Sequence, residues 1–421
     1  MSVGIGLLGC GTVGSGVAQL LVENAAAIAR TGGVSYGLRA VAIRTLTKSR
    51  PPMLDSGLLT LDALGLVERD DVQVVVECIG GTGIARTLVE RALDRGKHVV
   101  TANKDLLATE GPRLSALAAA RGGSLHYEAA VGGAIPIVRA LADSLAGEDV
   151  LEVGGVLNGT TNFILSEMSR GASYGAALAE AQRLGYAEAD PSNDVEGVDA
   201  AHKLAILAQL AFRRAVTSPM IARRGISSVA REDVSLGKRL GWQIKLIACA
   251  RLRGRIEASV SPAFVPAGHP FAQPVGANNC IRVIGRASGT LTFAGSGAGR
   301  DPTASAVIGD VIAALRRVHA APADAPALEP LGDHVLPALH LPHVIRVGSM
   351  RDVRPAESAL LAAGYTARAE AANPAVIAAP LALDAVTPLA RALESAGINA
   401  LAVLPLWDDG VGHATVAADV A

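Results

Sequence analysis

Three patterns predict an α/β fold in three parts. Over roughly the first 140 residues, short apolar runs alternate with helical spacing, which predicts a doubly wound parallel sheet. Beyond about Ala140 the texture changes: one longer strand-like run and helices are followed by short strand-like pieces in succession, as in an α+β domain with a mostly antiparallel sheet. From His343 to Ala421 the order reads strand, helix, strand, strand, helix, strand, the split ferredoxin-like βαββαβ arrangement.

The elements follow in order. Val3–Gly9 is wholly apolar, as a central parallel strand should be. Val13, Val17, Leu20, Leu21 and Ile28 then recur at helical spacing. Leu38–Arg44 and Val72–Gly80 are the next strands, "IARTLVERALDRG" is a helix stopped by Gly96, "HVVTA" is a strand and "LSALAAARG" a helix. In the second part "VLEVGGVLNG" is a strand, "TTNFILSEMSRG" a helix with Thr160 or Thr161 as its cap, and "SYGAALAEAQRLG" a helix. A helix through Phe212 and four strands, "LIACARL", "IEASVSPAFV", "CIRVIG" and "TLTFAG", complete it. "DPTASAVIGDVIAALRRV" is a further helix, and the Pro- and Ala-rich residues 320–342 read as a linker.

Composition narrows the class. The chain has 421 residues, 50% hydrophobic but only 3% aromatic, with 46 Gly, as in a compact α/β protein with many tight turns. Net charge is -1, from 38 basic and 39 acidic residues, so neither nucleic acid nor an anionic membrane is expected as partner. The start "MSVGIGLLGC" lacks the basic region of a signal peptide, and no apolar run reaches membrane-spanning length. Cys10, Cys78, Cys249 and Cys280 contain no CxxC pair. They fit reduced thiols in a cytoplasmic protein.

Gly9, Gly11 and Gly14 form G-x-G-x-x-G between the first strand and the first helix, around Thr12 and Val13. In that setting the glycines permit a tight turn and bring backbone against a pyrophosphate, the Rossmann-type fingerprint. The second strand ends at Arg44, followed by Lys48 and Arg50, with no acid before Asp55. An acid there would hold the ribose hydroxyl of NAD, whereas Arg accommodates the extra phosphate of NADP, so NADP is favoured and NAD stays possible. A solvated basic loop is the plainer account of the same residues.

Lys104 in "TANKDLL" lies at the C-terminal end of a strand, where open α/β sheets bind ligands. A cation opening a helix opposes the helix dipole, which points to a use for it. Glu128 in "YEAAVGGAIPIV" reads from the residues alone as a carboxylate capping the helix at Ile135; a hard monovalent cation held by the turn's carbonyls is the other reading. The stretch "EADPSNDVEGVDAAHK" gathers Glu188, Asp190, Asp194, Glu196 and Asp199 before Lys203. Asp199 and Lys203 are four apart, the spacing of an ordinary exposed helix pair. Their helix face grades into Ile206 and Leu207, however, so Lys203 is expected to be partly buried and suited to relaying a proton. The carboxylates would grip a substrate ammonium group.

Together "GCGTVGSG", "ECIGG", "GKHVVTANKDLLA", "YEAAVGGAIPIV", "GVLNGTTNFIL", "LGYAEADPSNDVEGVDAAHKLAIL", "HPFA" and "GSGAGRDPTASAV" make the chain resemble the homoserine dehydrogenase family from Ser2 to about His319. The resemblance implies reversible NAD(P)-dependent interconversion of L-homoserine and L-aspartate 4-semialdehyde, a step toward threonine, methionine and isoleucine. It implies Lys203 as proton donor and acceptor with Lys104 as partner, and Glu188, Asp194 and Asp199 as the substrate grip. Gly185, Glu188 and Lys104 would lie near the nicotinamide, and Gly297 would be a late cofactor contact. Glu128, Val131, Gly133 and Ile135 would hold a sodium ion. It also implies a nucleotide-binding domain at 1–140 completed by a helix at about 301–319, a substrate and dimerisation domain at 141–300, and an ACT-like regulatory domain at 343–421. A homodimer or homotetramer and a threonine effector go with it. Cys10 and "SMRDVRP", where ACT modules carry an Asp-x-Pro-Gly turn, depart from the family pattern. A dehydrogenase of another small amino-acid alcohol would not need the full acidic stretch, and a non-catalytic homologue would be expected to lack Lys104 or Lys203. The linker suggests that the C-terminal unit is separable, so a chain cut near Pro322 is expected to fold and keep its activity.

Overall fold

The computed structural model describes residues 2–48, 50–319, 328–331, 336–370 and 372–407. The remaining parts of the expected linker, and residues 408–421 of the expected C-terminal domain, lie outside the described residues.

The first sheet holds β1 (Val3–Leu8), β2 (Tyr36–Ala42), β3 (Leu59–Thr60), β4 (Val74–Glu77), β5 (His98–Thr101) and β6 (Ser124–His126) in the order β3-β2-β1-β4-β5-β6. All its pairs are parallel, the doubly wound arrangement. The strands read as continuous apolar runs because both faces are covered. Ile5, Leu7, Val74 and Val76 pack with Val17, Ala304, Val307 and Val311 on one side. Leu8, Val75 and Val99 pack with Leu88, Leu106 and Leu114 on the other. The Arg300–Arg317 helix thus returns to this sheet, lying against the Thr12–Glu23 helix. The helix expected at "LSALAAARG" starts earlier, at Lys104, and runs to Ala120 through Pro112.

Between β5 and β6, His98 Nδ1 lies 2.8 Å from Ser124 Oγ, which lies 2.7 Å from His126 Nε2. Burial pushes both imidazoles down to about 4. A depressed folded-state pKa contributes stability above the unfolded value, lost as pH falls from about 6.5 toward 4. On the order of 2–3 kcal/mol per imidazole is at stake. Urea denaturation should therefore show the protein weaker at pH 5 than at pH 7.5, and His126→Gln should flatten that slope. An unchanged slope in the variant would remove His126 from the account.

The second sheet holds β7 (Val150–Val156), β8 (Ala222–Arg223), β9 (Trp242–Arg253), β10 (Arg255–Pro266), β11 (Asn278–Gly285) and β12 (Gly289–Ser296), ordered β12-β11-β7-β9-β10-β8. Only β8 pairs in parallel, with β10. The Gly159–Ser169 helix is capped by neither Thr160 nor Thr161. Asn158 caps it, its Oδ1 accepting from Thr161 N at 2.8 Å, because β7 ends at Val156 and the helix begins at Gly159, earlier than a threonine cap requires.

The third sheet holds β13 (Leu341–Val347), β14 (Ala367–Ala369), β15 (Ala375–Leu381) and β16 (Ala400–Pro405), ordered β14-β15-β13-β16 and wholly antiparallel. Helices Val353–Ala362 and Val386–Ser395 cover one face through Val353, Leu360, Leu389 and Leu393, giving the expected βαββαβ unit. The other face is not free. Val344, Ile377 and Leu404 share a core with Val234, Leu236 and Phe264 of the second part. Arg346 Nε meets Asp233 Oδ1 at 2.6 Å, and Arg239 Nε donates to Asn373 Oδ1 at 2.9 Å. The expected linker is also engaged: Leu336 N donates to Met220 O and Ala258 N to Pro337 O, each at 2.9 Å. These contacts reverse the expectation of a separable unit. All four cysteines are free, and no helix among the described residues is long and apolar enough to cross a membrane.

Candidate active site

The glycine turn sits where the strand order reverses, at the C-terminal ends of β1 and β4. Gly9 has φ +93, a left-handed value that suits glycine. A Cβ on Gly14 would come within 2.1 Å of the Gly9 carbonyl, so only glycine lets the helix approach. A Cβ on Gly11 would meet nothing within 4 Å; that residue faces an open cleft of about 470 Å³ whose walls include Arg44, Lys48, Leu61 and Ile79. Thr12 and Val13 open the helix with their backbone N–H groups toward the turn. Arg44 is exposed, just past β2, and makes no hydrogen bond or ion pair among the described residues. Arg50 is engaged instead, donating to the Cys10 and Thr45 carbonyls. Backbone donors, an open wall and free cations fit a phosphorylated dinucleotide.

The next strand ends lock each other. Glu77, fully buried, accepts from Ile79 N at 2.6 Å, Gly80 N at 2.8 Å and Thr101 Oγ1 at 2.5 Å. Asn103 caps the Lys104 helix and donates to Gly81 O at 2.7 Å. The pair explains why "ECIGG" and "TANKD" occur together, and it aims Lys104 across toward the second part of the chain.

There the opening residues of the Val198–Phe212 helix meet it. Asp199 and Lys203 are 6% and 7% exposed, so theirs is not a surface pair. Lys203 Nζ lies 2.8 Å from Asp199 Oδ2, and Lys104 Nζ lies 3.3 Å from Asp199 Oδ1. Lys203 Nζ also donates to the Leu157 carbonyl at 2.9 Å. Asn158 Nδ2 donates to both Asp199 and Asp194, at 2.7 Å each. Burial pushes Asp199 up, but the two lysines and their hydrogen bonds hold its carboxyl well below the ordinary range. The attraction of Asp199 raises Lys104 above an ordinary lysine in spite of burial. Burial raises Asp194. Beside this cluster, His202 Nδ1 meets Asp105 at 2.8 Å, a second tie between the two helices.

Lys104, Lys203, Asp194 and Asp199 therefore come together, and Glu188 does not join them. Its side chain is exposed and makes no hydrogen bond or ion pair among the described residues. It shares a loop with Gly185, which takes φ +77 just past the Tyr174–Arg183 helix. Asp190 caps its own turn through Ser192, and Glu196 is exposed. Gly297 lies in the turn before the Arg300–Arg317 helix, against Gly133: a Cβ on Gly133 would come within 2.7 Å of its carbonyl carbon. Asn158, the Leu157 carbonyl and Asn103 were not singled out from the sequence. The one available signal was Asn before a helical run, a capping residue.

Glu128 is 1% exposed, and its carboxylate accepts from Val138 N at 2.8 Å, Arg139 N at 2.9 Å and Arg139 Nε at 3.1 Å. That is the capping arrangement read from the residues, over a helix starting at Ile137 rather than Ile135. The Ile135 carbonyl accepts from Ile137 N at 2.8 Å, while those of Val131 and Gly133 accept no hydrogen bond among the described residues. The Glu128 carboxylate is thus met by three donors of the helix it caps. Among the described residues no group of three or more His, Cys, Asp or Glu could hold a metal.

Comparisons with known proteins give the family. Residues 136–312 match the family model for homoserine dehydrogenase, and residues 9–128 that for the homoserine dehydrogenase NAD binding domain. Homoserine dehydrogenase of Mycobacterium tuberculosis is 47% identical over 321 residues, 75% of this chain and 72% of that protein. The chain belongs to the homoserine dehydrogenase family. The crystal structure of a homoserine dehydrogenase from Thiobacillus denitrificans covers 97% of this chain and 99% of its own, with TM-score 0.87 and 36% identity. A hyperthermophilic archaeal homoserine dehydrogenase in complex with NADPH covers 75% of this chain and 98% of its own, at TM-score 0.63 and 26% identity. The activity is that of an oxidoreductase, homoserine dehydrogenase, with an NAD(P)-binding domain.

Proposed function

We propose that Lys203 carries the proton in the interconversion of L-homoserine and L-aspartate 4-semialdehyde, with Lys104 beside it. The observation that carries this is one buried carboxylate, Asp199, meeting two lysines at 2.8 and 3.3 Å. The dinucleotide, when bound at the glycine turn, would supply the acceptor for the hydride of the carbinol carbon. Lys203 takes the hydroxyl proton in that direction and returns it in the other. Lys104, more exposed than Lys203, faces the hydroxyl oxygen and steadies its developing charge. Asp199 is saturated by the lysines and Asn158, so its part is to hold them. Asp194 and Glu188 are left to bind the substrate ammonium group, Glu188 by moving in with its exposed loop. Gly185 and Gly297 would then line the nicotinamide end, and Gly9, Gly11, Thr12, Val13 and Gly14 the pyrophosphate.

NADP is the preferred cofactor on this reading because Arg44 lines the cleft, free, where an acid would select NAD. Arg44→Asp should cut the ratio of NADP to NAD specificity constants roughly ten- to hundredfold. Cofactor binding, measured apart from turnover, should shift the same way. A ratio that does not move would make Arg44 surface charge.

Sodium at Glu128, Val131, Gly133 and Ile135 would tie the first part of the chain to the turn at Ser296, whose carbonyl accepts from Ala134 N at 3.1 Å. A dimer has support in β12, an eight-residue edge strand with alternate residues exposed. The pathway placement toward threonine, methionine and isoleucine, a threonine effector for the C-terminal unit and a cytoplasmic location follow from the family resemblance. Initial rates with added threonine test the effector.

A further inference from the structure

Asn279, at the start of β11, stands between the lysine cluster and the turn at Gly297. It is 1% exposed. Its Nδ2 donates to the Leu157 carbonyl at 2.9 Å, the same oxygen that receives Lys203 Nζ at 2.9 Å. That carbonyl fixes which end of the amide is nitrogen. The Oδ1 therefore faces away, and it is buried with no hydrogen-bond partner among the described residues.

A buried acceptor left without a donor costs free energy, and a leucine of similar size would avoid the cost. Stability alone thus favours another residue, and what an amide adds here is its donor. The amide is also wedged. A Cβ on Gly297 would come within 2.2 Å of its Cγ and Nδ2, so glycine alone leaves it room. Leu157 itself lies just past the end of β7, where the ladder no longer holds its carbonyl. One side of that oxygen is pinned by Asn279 and the other receives the ammonium of Lys203.

We propose that Asn279 is a positioning residue for proton transfer: through the shared Leu157 carbonyl it fixes where Lys203 Nζ stands against the substrate hydroxyl. This rests on Lys203 as the proton carrier. Without the amide donor the carbonyl can turn with the ammonium, and the nitrogen settles away from the hydroxyl.

The test is steady-state kinetics of homoserine oxidation by Asn279→Ala, Gly297→Ala and the double variant, with Lys203→Ala alongside and cofactor saturating. Asn279→Ala should lower kcat by up to about 10²-fold, the usual effect of a misplaced reacting group. KM for homoserine should stay within about twofold, as for an interaction made only in the transition state. The solvent deuterium isotope effect on kcat should rise, because the proton step becomes slower. Gly297→Ala, which drives the amide off its place, should act in the same direction. The double variant should be no worse than Asn279→Ala alone, since the shortened side chain leaves room for the added methyl. If Asn279→Ala misfolds, Asn279→Leu, which fills the same space without a donor, carries the same readouts. An unchanged kcat in folded Asn279→Ala, with Lys203→Ala slow, would overturn the positioning role and leave the lysine in place. So would a loss of kcat with no rise in the isotope effect, which marks mere packing. Near-normal turnover in Lys203→Ala would overturn the underlying assignment itself.

Discussion

Replacing Lys203 by Ala is expected to lower the turnover of homoserine by about 10²–10⁴-fold, the usual worth of a positioned general acid or base. The fold should survive. Asp199 keeps Lys104 at 3.3 Å and Asn158 at 2.7 Å, so no buried charge is stranded. Cofactor affinity, read by titration of NADPH fluorescence, should hardly change, because the glycine turn is built from β1 and β4 and shares no residue with the Val198–Phe212 helix. Lys203→Arg should fail almost as badly. Its guanidinium keeps the charge but cannot give up a proton in the working pH range. A variant that turned over homoserine at near the parent rate would remove Lys203 from the chemistry and leave Lys104 as the remaining candidate.

The two lysines and the glycine turn were legible in the sequence because side chains and spacing announce them. Gly9, Gly11 and Gly14 sit between a buried strand and a helix, and Asp199 precedes Lys203 by one helical turn. What completes the site announces itself differently. The Leu157 carbonyl has no side-chain signature, and Asn279 reaches it from a strand 122 residues away in sequence. Such contacts exist only once β7 and β11 pair. Asn158 was hidden by its position at the junction of strand and helix, where "VLNG" reads as the end of a strand. Glu128 shows the opposite balance: the plain reading of a capping carboxylate is the geometry found.

The second expectation concerns the C-terminal unit. A chain ending at Ala338 should be poorly soluble or unfolded rather than an active core. Its signal was present in the sequence. "LPHVIRV" and "AVIAAP" are nearly continuous apolar runs, as strands covered on both faces are, whereas a free-standing unit of this size would alternate on its outer face. Removing the unit uncovers the partners of Leu341, Val344, Ile377, Leu404 and Trp407, all less than 9% exposed. At about 1.5–3 kcal/mol for each large apolar side chain, the loss is on the order of 10 kcal/mol. That is comparable with the whole stability of an ordinary domain.

The same cut would bare Glu152, which holds Arg251 at 2.5 Å and Arg282 at 2.6 Å beneath the Trp407 ring, with the Arg251 guanidinium 4.8 Å from its centroid. Size-exclusion chromatography and thermal unfolding read the outcome. Trp407→Ala in the full chain gives a graded version and should cost about 3–5 kcal/mol, as for other buried aromatic truncations. A monodisperse truncation with parental turnover would mean that the apolar face is incidental and the unit independent after all.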